Sequence, residues 1–178
     1  LRRAYWQIAL VVLGIVLYIT YAFRKIGSEM HRGKVKAWHL GAATIVALMH
    51  DLLIPIGVFA VLGHFRGVEV DSLFITALLT ILGFSVHDTI VVFDRVRENL
   101  QKYPYLSMQS LIDHSVTSTF ARSINTSSTL IFVLVALLLF GGQAIFYFIL
   151  ALLIGVVFGT YSSIFIASPI LYLWHRNR

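Results

Sequence analysis

The sequence predicts an all-α, polytopic membrane helix bundle with five transmembrane helices. Two observations carry this expectation. Of the 178 residues, 58% are hydrophobic and only 12% are charged, about half the charged share of an ordinary soluble domain. That surplus of apolar surface cannot all be hidden in one core, so a soluble globular enzyme is excluded. The second observation is that apolar runs recur at the ~20 residues needed to cross a hydrocarbon layer, separated by short charged or glycine-containing connections.

The first span is expected from Tyr5 to Phe23, closed by Arg24-Lys25. No small-residue cleavage site follows it, which argues against a signal peptide. The second runs from Trp38 to Leu62, interrupted by His50-Asp51 and Pro55, and the third from Leu73 to Phe93, with Asp71-Ser72 as its N-cap. Pro104 then breaks the chain. Met108, Leu111, Ile112, Val116 and Phe120 follow at helical spacing, predicting a short amphipathic interfacial helix over 107–118. The fourth span occupies 119–140 and the fifth 144–173, long enough to tilt. Gly155, Gly159, Ser163 and Ala167 repeat small residues every four positions along the fifth, a pattern that favours close packing within the bundle.

The net charge is +6. In a membrane protein its distribution reports topology before it suggests nucleic acid, and no nucleic-acid partner is expected. Ten basic residues fall in the first loop (Arg24, Lys25, Arg32, Lys34, Lys36), after the third span (Arg95, Arg97, Lys102) and at the C-terminus (Arg176, Arg178). The opposite side has three, Arg2, Arg3 and Arg66. This asymmetry puts the C-terminus in the cytoplasm and the N-terminus of the chain on the periplasmic side. Arg2-Arg3 then stands on the unfavoured side, and the chain starts at Leu1. Both features suggest a piece of a longer protein with an orienting segment upstream. Trp6, Trp38 and Trp174 fall near span boundaries, as an aromatic belt would.

The chain has no cysteine, which removes disulfides, thiolate catalysis and cysteine metal sites. Neighbouring residues on a helix point about 100° apart, so His50-Asp51 and His87-Asp88 are not natural bidentate metal sites. No i, i+4 ligand pair that includes a histidine is present, and Gly83-Phe84-Ser85 lacks the second glycine of a nucleophile elbow. Neither a metal site nor an enzymatic activity is expected.

The chemistry concentrates on intramembrane charges. Asp88 lies about 10 Å inside the boundary marked by Arg95, counting ~1.5 Å per residue. A carboxylate at such depth costs about 2.5–3.5 kcal/mol, so it is either a paired structural group or a protonatable site. Arg122 enters the antiparallel fourth span at similar depth. It either meets Asp88 or snorkels to the headgroups. Arg122, Asn125, Thr126 and Thr129 share one helix face, which either lines an interior polar path or makes ordinary helix–helix hydrogen bonds. Asp51 is a second buried-type carboxylate that could instead satisfy backbone groups freed by Pro55.

Gly83 to Leu100 reads GFSVHDTIVVFDRVRENL. It resembles the signature of the SecF family of protein-export membrane subunits, in which a glycine-led span carries a buried aspartate and ends in V-V-F-D-R-x-R-E-N. Asp88 matches that aspartate, and Arg122-Ser123-Ile124-Asn125-Thr126-Ser127 resembles the family's second intramembrane motif. His50-Asp51-Leu52 resembles its preceding polar position. Val86-His87 stands where Ile-Asn is common, and Phe84 where tyrosine is frequent. His87 could titrate near neutrality or simply face away from Asp88.

The resemblance implies the last five of six spans, forming half of a twelve-helix, pseudo-symmetric assembly with SecD similar to the resistance-nodulation-division transporters. It implies a proton-motive-force-coupled accessory subunit of the Sec translocase in the bacterial cytoplasmic membrane. SecYEG, YajC and the translocating preprotein would be further partners. Asp88 and Arg122 would be the conducting pair, with Asn125, Thr126, Thr129, Asp51 and His87 as a subsidiary polar path. No cofactor is implied beyond the transported proton, or sodium in its place. A proton-driven small-molecule exporter of the same superfamily is the alternative.

Overall fold

The computed structural model describes residues 37–176 together with Leu10, Leu13, Gly14, Leu17, Tyr18 and Tyr21. Those six positions are helical. The rest of the expected span 5–23, the basic loop 24–36 and the last two residues lie outside the described residues. Everything regular among the described residues is helical, with no strand. Helix α1 covers Ala37–Arg66, α2 Ser72–Lys102 and α3 Met108–Phe140. A 3-10 turn at Gln143–Ile145 leads into α4, Phe146–Ser162. A π-helical turn, Ser163–Ala167, joins α4 to α5, Ser168–Arg176. Four stretches, His39–Arg66, Ser72–Lys102, Met108–Phe140 and Gln143–Trp174, are each long and apolar enough to cross a membrane.

The helix ends follow local chemistry. Gly67 terminates α1 with φ +64 and returns its N–H to the Gly63 carbonyl at 3.1 Å, a left-handed stop that glycine adopts without a Cβ penalty. Asp71 caps α2 by accepting the Phe74 N–H at 2.9 Å, and Ser107 caps α3 from Ser110 N–H at 3.2 Å. Pro55 does not end α1. It deprives the chain of one i→i−4 bond, a loss that a long helix packed against neighbours absorbs.

Two expectations about boundaries change. The segment 107–118 is not a separate interfacial helix but the first three turns of α3. No glycine or proline separates it from the apolar run, and Met108, Leu111 and Ile112 are buried in the bundle rather than laid on a surface. Phe120, expected on that stripe, is exposed, because the buried face continues instead through Ser115, Thr119, Ser123 and Ser127. Helix α2 also runs nine residues past Phe93, stiffened by ion pairs from Arg97 to Asp94 at 3.5 Å and from Lys102 to Glu98 at 2.5 Å.

Helices consecutive in the chain run antiparallel, and the central α2 packs on α1, on α3 and, running parallel to it, on α4. At one end Phe59 meets Phe74, with ring centroids 4.4 Å apart. At the other, His39 lies against Trp174 at 5.7 Å and Asn99 donates to Ser115 at 2.8 Å. Between helices in lipid there is little hydrophobic driving force, so close contact and hydrogen bonds must hold the bundle. Gly155 provides the closest contact. A Cβ there would stand 2.2 Å from Ile81 Cγ1, and Ile81 is itself fully buried. The small-residue repeat therefore packs within the bundle, α4 against α2. Gly155→Leu is expected to lower the stability of the intact complex by about 1–3 kcal/mol through overpacking, and Ile81→Ala to restore part of it. Thermal unfolding of the two single variants and the double variant in detergent checks both.

Candidate functional site

Three polar crossings occupy the middle of the bundle. In the first, Asp51 of α1 is fully buried. It accepts hydrogen bonds from Ser85 Oγ of α2, from Ser162 Oγ of α4 at 2.7 Å and from its neighbour His50 Nδ1 at 3.0 Å. In the second, Asp88 of α2 is 8% exposed, and its Oδ1 accepts from Ser123 Oγ of α3 at 2.7 Å. Its Oδ2 is buried and meets no hydrogen-bond donor among the described residues. In the third, Ser127 of α3 and Thr160 of α4 lie 2.6 Å apart.

Helix periodicity makes these crossings. Ser85 and Asp88 are three residues apart and share the buried side of α2, so one turn of that helix touches both α1 and α3. On α3, Ser115, Thr119, Ser123 and Ser127 recur every fourth residue and are all buried. Gly159 lets α4 reach the cluster, since a Cβ at that position would lie 3.3 Å from Ser85 Cβ and 3.8 Å from Asp51 Oδ2. The serines that hold the carboxylates were not singled out by sequence. The signal was the four-residue hydroxyl repeat, one position out of phase with the face chosen.

Arg122, Asn125, Thr126 and Thr129 do share one face, and that face is exposed on the outside of this bundle. Arg122 is not brought against Asp88, and among the described residues it makes no ion pair. Its side chain instead lines a cavity of about 260 Å³ with Val91, Asp94, Arg95, Glu98, Ser118 and Thr119. The Ser123–Asp88 contact lies one turn of α3 beyond Thr119. Around the rim, Arg95 bonds to Glu98 and donates to Ser118 Oγ at 3.1 Å. The hydrogen bond from Lys102, then that from Arg95, hold the Glu98 carboxyl below its usual range. His87 is exposed, turned away from the side that buries Asp88. Asp51 does not serve the backbone freed by Pro55; its donors are side chains from three helices. No grouping of three or more histidine and carboxylate side chains that could hold a metal ion occurs among the described residues.

Asp88 thus holds one oxygen in a hydrogen bond from Ser123 and keeps the other clear of donors among the described residues. Replacing Asp88 by Asn and Ser123 by Ala, singly and together, is expected to show a coupling of about 1–3 kcal/mol at neutral pH. Chemical unfolding of the four proteins measures it, and additivity would mean that the 2.7 Å contact contributes nothing.

Comparison with known proteins fits this arrangement. The family model described as "Protein export membrane protein SecD/SecF, C-terminal" matches residues 1–177. The protein translocase subunit SecF of Thermobaculum terrenum is 51% identical over 176 residues, covering 99% of this chain and 53% of that protein. The subunit of the same name from Anaerolinea thermophila is 44% identical over 176 residues, covering 98% and 54%. A crystal structure of SecDF in a super-membrane-facing form superimposes with a TM-score of 0.81 at 35% identity, over 94% of this chain and 21% of that one. The chain thus spans about half the length of the curated relatives it matches. The resemblance carried by Gly83 to Leu100 is borne out across the whole sequence, and the chain belongs to the SecD/SecF C-terminal family of protein export membrane proteins.

Proposed function

We propose that this chain is part of a proton-motive-force-coupled accessory subunit of the Sec translocase, assisting preprotein export across the bacterial cytoplasmic membrane together with SecD. Relatives named as SecF translocase subunits support the setting. The observation that carries the coupling is Asp88, a buried carboxylate inside an apolar helix, held on one oxygen by Ser123 and orphaned on the other. Protonation cancels its charge and weakens its attraction toward Arg122. That biases the bundle between two packings, one with the arginine drawn in and one with it withdrawn into the α2–α3 cavity.

In this reading residues 5–23 supply a fifth span, the N-terminus of the chain is periplasmic and the C-terminus cytoplasmic. The five spans form half of a twelve-helix pseudo-symmetric membrane assembly like that of the resistance-nodulation-division transporters. The exposed face of Arg122, Asn125, Thr126 and Thr129 supports this, because such groups are costly against lipid and call for a second helical bundle, that of SecD. SecYEG, YajC and the preprotein complete the assembly. Carboxylate and hydroxyl oxygens also suit sodium, so the driving ion is identified by imposing each gradient separately.

The test is preprotein export by inverted vesicles carrying the intact complex, with and without a proton gradient. Asp88→Asn is expected to keep basal export and lose the gradient-stimulated component, and Arg122→Met to do the same. Full stimulation in Asp88→Asn would make Asp88 a structural residue and move the coupling elsewhere.

A further inference from the structure

Asp51 is a second carboxylate, to which the coupling just proposed gives no task. It is completely buried, and its donors arrive from three helices: His50 on α1, Ser85 on α2 and Ser162 on α4. Among the described residues, His50 is the one ionisable group that touches it. From α2 the nearest carboxyl is Asp88, three residues beyond Ser85 and bonded to Ser123 of α3, while His87 is exposed. Arg122 of α3 lies in its own cavity beside Asp94, Arg95 and Glu98. Helix α4 and the π turn carry no charged side chain, and their phenols Tyr147 and Tyr161 are exposed.

A carboxylate anion surrounded by apolar helices and neutral donors is costly to bury. Two arrangements avoid a bare charge: an imidazolium on His50 beside an ionised Asp51, or a neutral imidazole beside a protonated carboxyl. Both hold the same extra proton and differ only in its position along the 3.0 Å contact. In passing from the first to the second, the His50 Nδ1–H bond breaks and an Asp51 Oδ1–H bond forms, with no other reactant. His50 is the outward member of the pair, its side chain 31% exposed at the bundle surface and edge-on to Phe158 with ring centroids 6.4 Å apart.

We propose that His50 and Asp51 form a second proton-binding site in this chain, and that Ser162 reports its state to the π turn. Ser162 has one hydroxyl proton and two acceptors, Asp51 Oδ2 at 2.7 Å and the Gly159 carbonyl at 3.1 Å. An ionised carboxylate is the stronger acceptor, so the hydroxyl stays with Asp51 while it is charged and turns toward Gly159 once it is neutral. The Gly159 carbonyl already receives Ser163 Oγ at 2.7 Å. The exchange therefore alters bonding where α4 passes into Ser163–Ala167, a type of irregular turn often found at functional sites. None of this requires Asp88 to be the coupling residue.

Infrared difference spectroscopy of the intact complex in proteoliposomes, titrated over pH, follows the carbonyl stretch of buried protonated carboxyls. One titrating band is expected to vanish in Asp51→Asn and to persist in Asp88→Asn, whatever the export assay gives for Asp88. In Ser162→Ala the same band is expected to appear already at higher pH, because a donor to the charged form has been removed. Identical bands in wild type and Asp51→Asn overturn the proposal. If Asp51→Asn does not assemble, Ser162→Ala decides. A displaced band supports the site, and a spectrum unchanged at every pH overturns it.

Discussion

Two carboxylates are carried through the middle of an apolar bundle, and much of the helix packing can be read from that constraint. In lipid a buried charge or polar group must find its partners within the protein. Here the partners are short hydroxyl side chains on neighbouring helices, Ser85 and Ser162 for Asp51 and Ser123 for Asp88. Short donors demand short distances between backbones. Gly159 sits beside the Asp51 cluster for that reason, and Gly155 gives the same close approach one turn earlier, against Ile81. Polar satisfaction and tight packing are one requirement in this molecule, met at the crossings of α2 with α1, α3 and α4.

The centre of gravity is α2. Its Ser85 and Asp88 face different neighbours from a single turn, so the two carboxylate clusters share a rigid element. Beyond the apolar run the same helix continues with α3 as a paired extension. Its ion pairs and the Asn99–Ser115 bond keep it helical past the point where the side chains become charged.

Much of this was legible in the sequence. Long apolar runs announced the four long helices, Asp71 announced a cap, and Asp88 and Asp51 stood out because carboxylates are rare among such neighbours. The small-residue repeat on the last span was legible as packing. What was hidden is physical rather than accidental. Serines are so common in membrane helices that no single one attracts notice, and only the tertiary contact separates Ser123 from Thr126. Arg122 drew attention to its own helix face, yet a guanidinium on a long stem can leave the interior that its Cα approaches. The continuity of α3 escaped because amphipathic periodicity looks the same whether the apolar stripe meets a membrane surface or another helix.

The π turn has a consequence for phase. Residues four apart on an α-helix advance by about 40° more than a full turn, so a four-residue repeat slides around a regular helix. From Gly155 to Leu171 there are four such steps, a drift of about 160° that would carry the last member to the opposite side. Yet Gly155, Gly159, Ser163, Ala167 and Leu171 are all buried. The wider turn at Ser163–Ala167 winds back against that slippage and returns Ala167 and Leu171 to the inner face. It works as a vernier, aligning a sequence period of four with a helix period of 3.6. Through it the glycines that admit the carboxylate cluster and the Trp174 end that rests on His39 stay on one continuous seam.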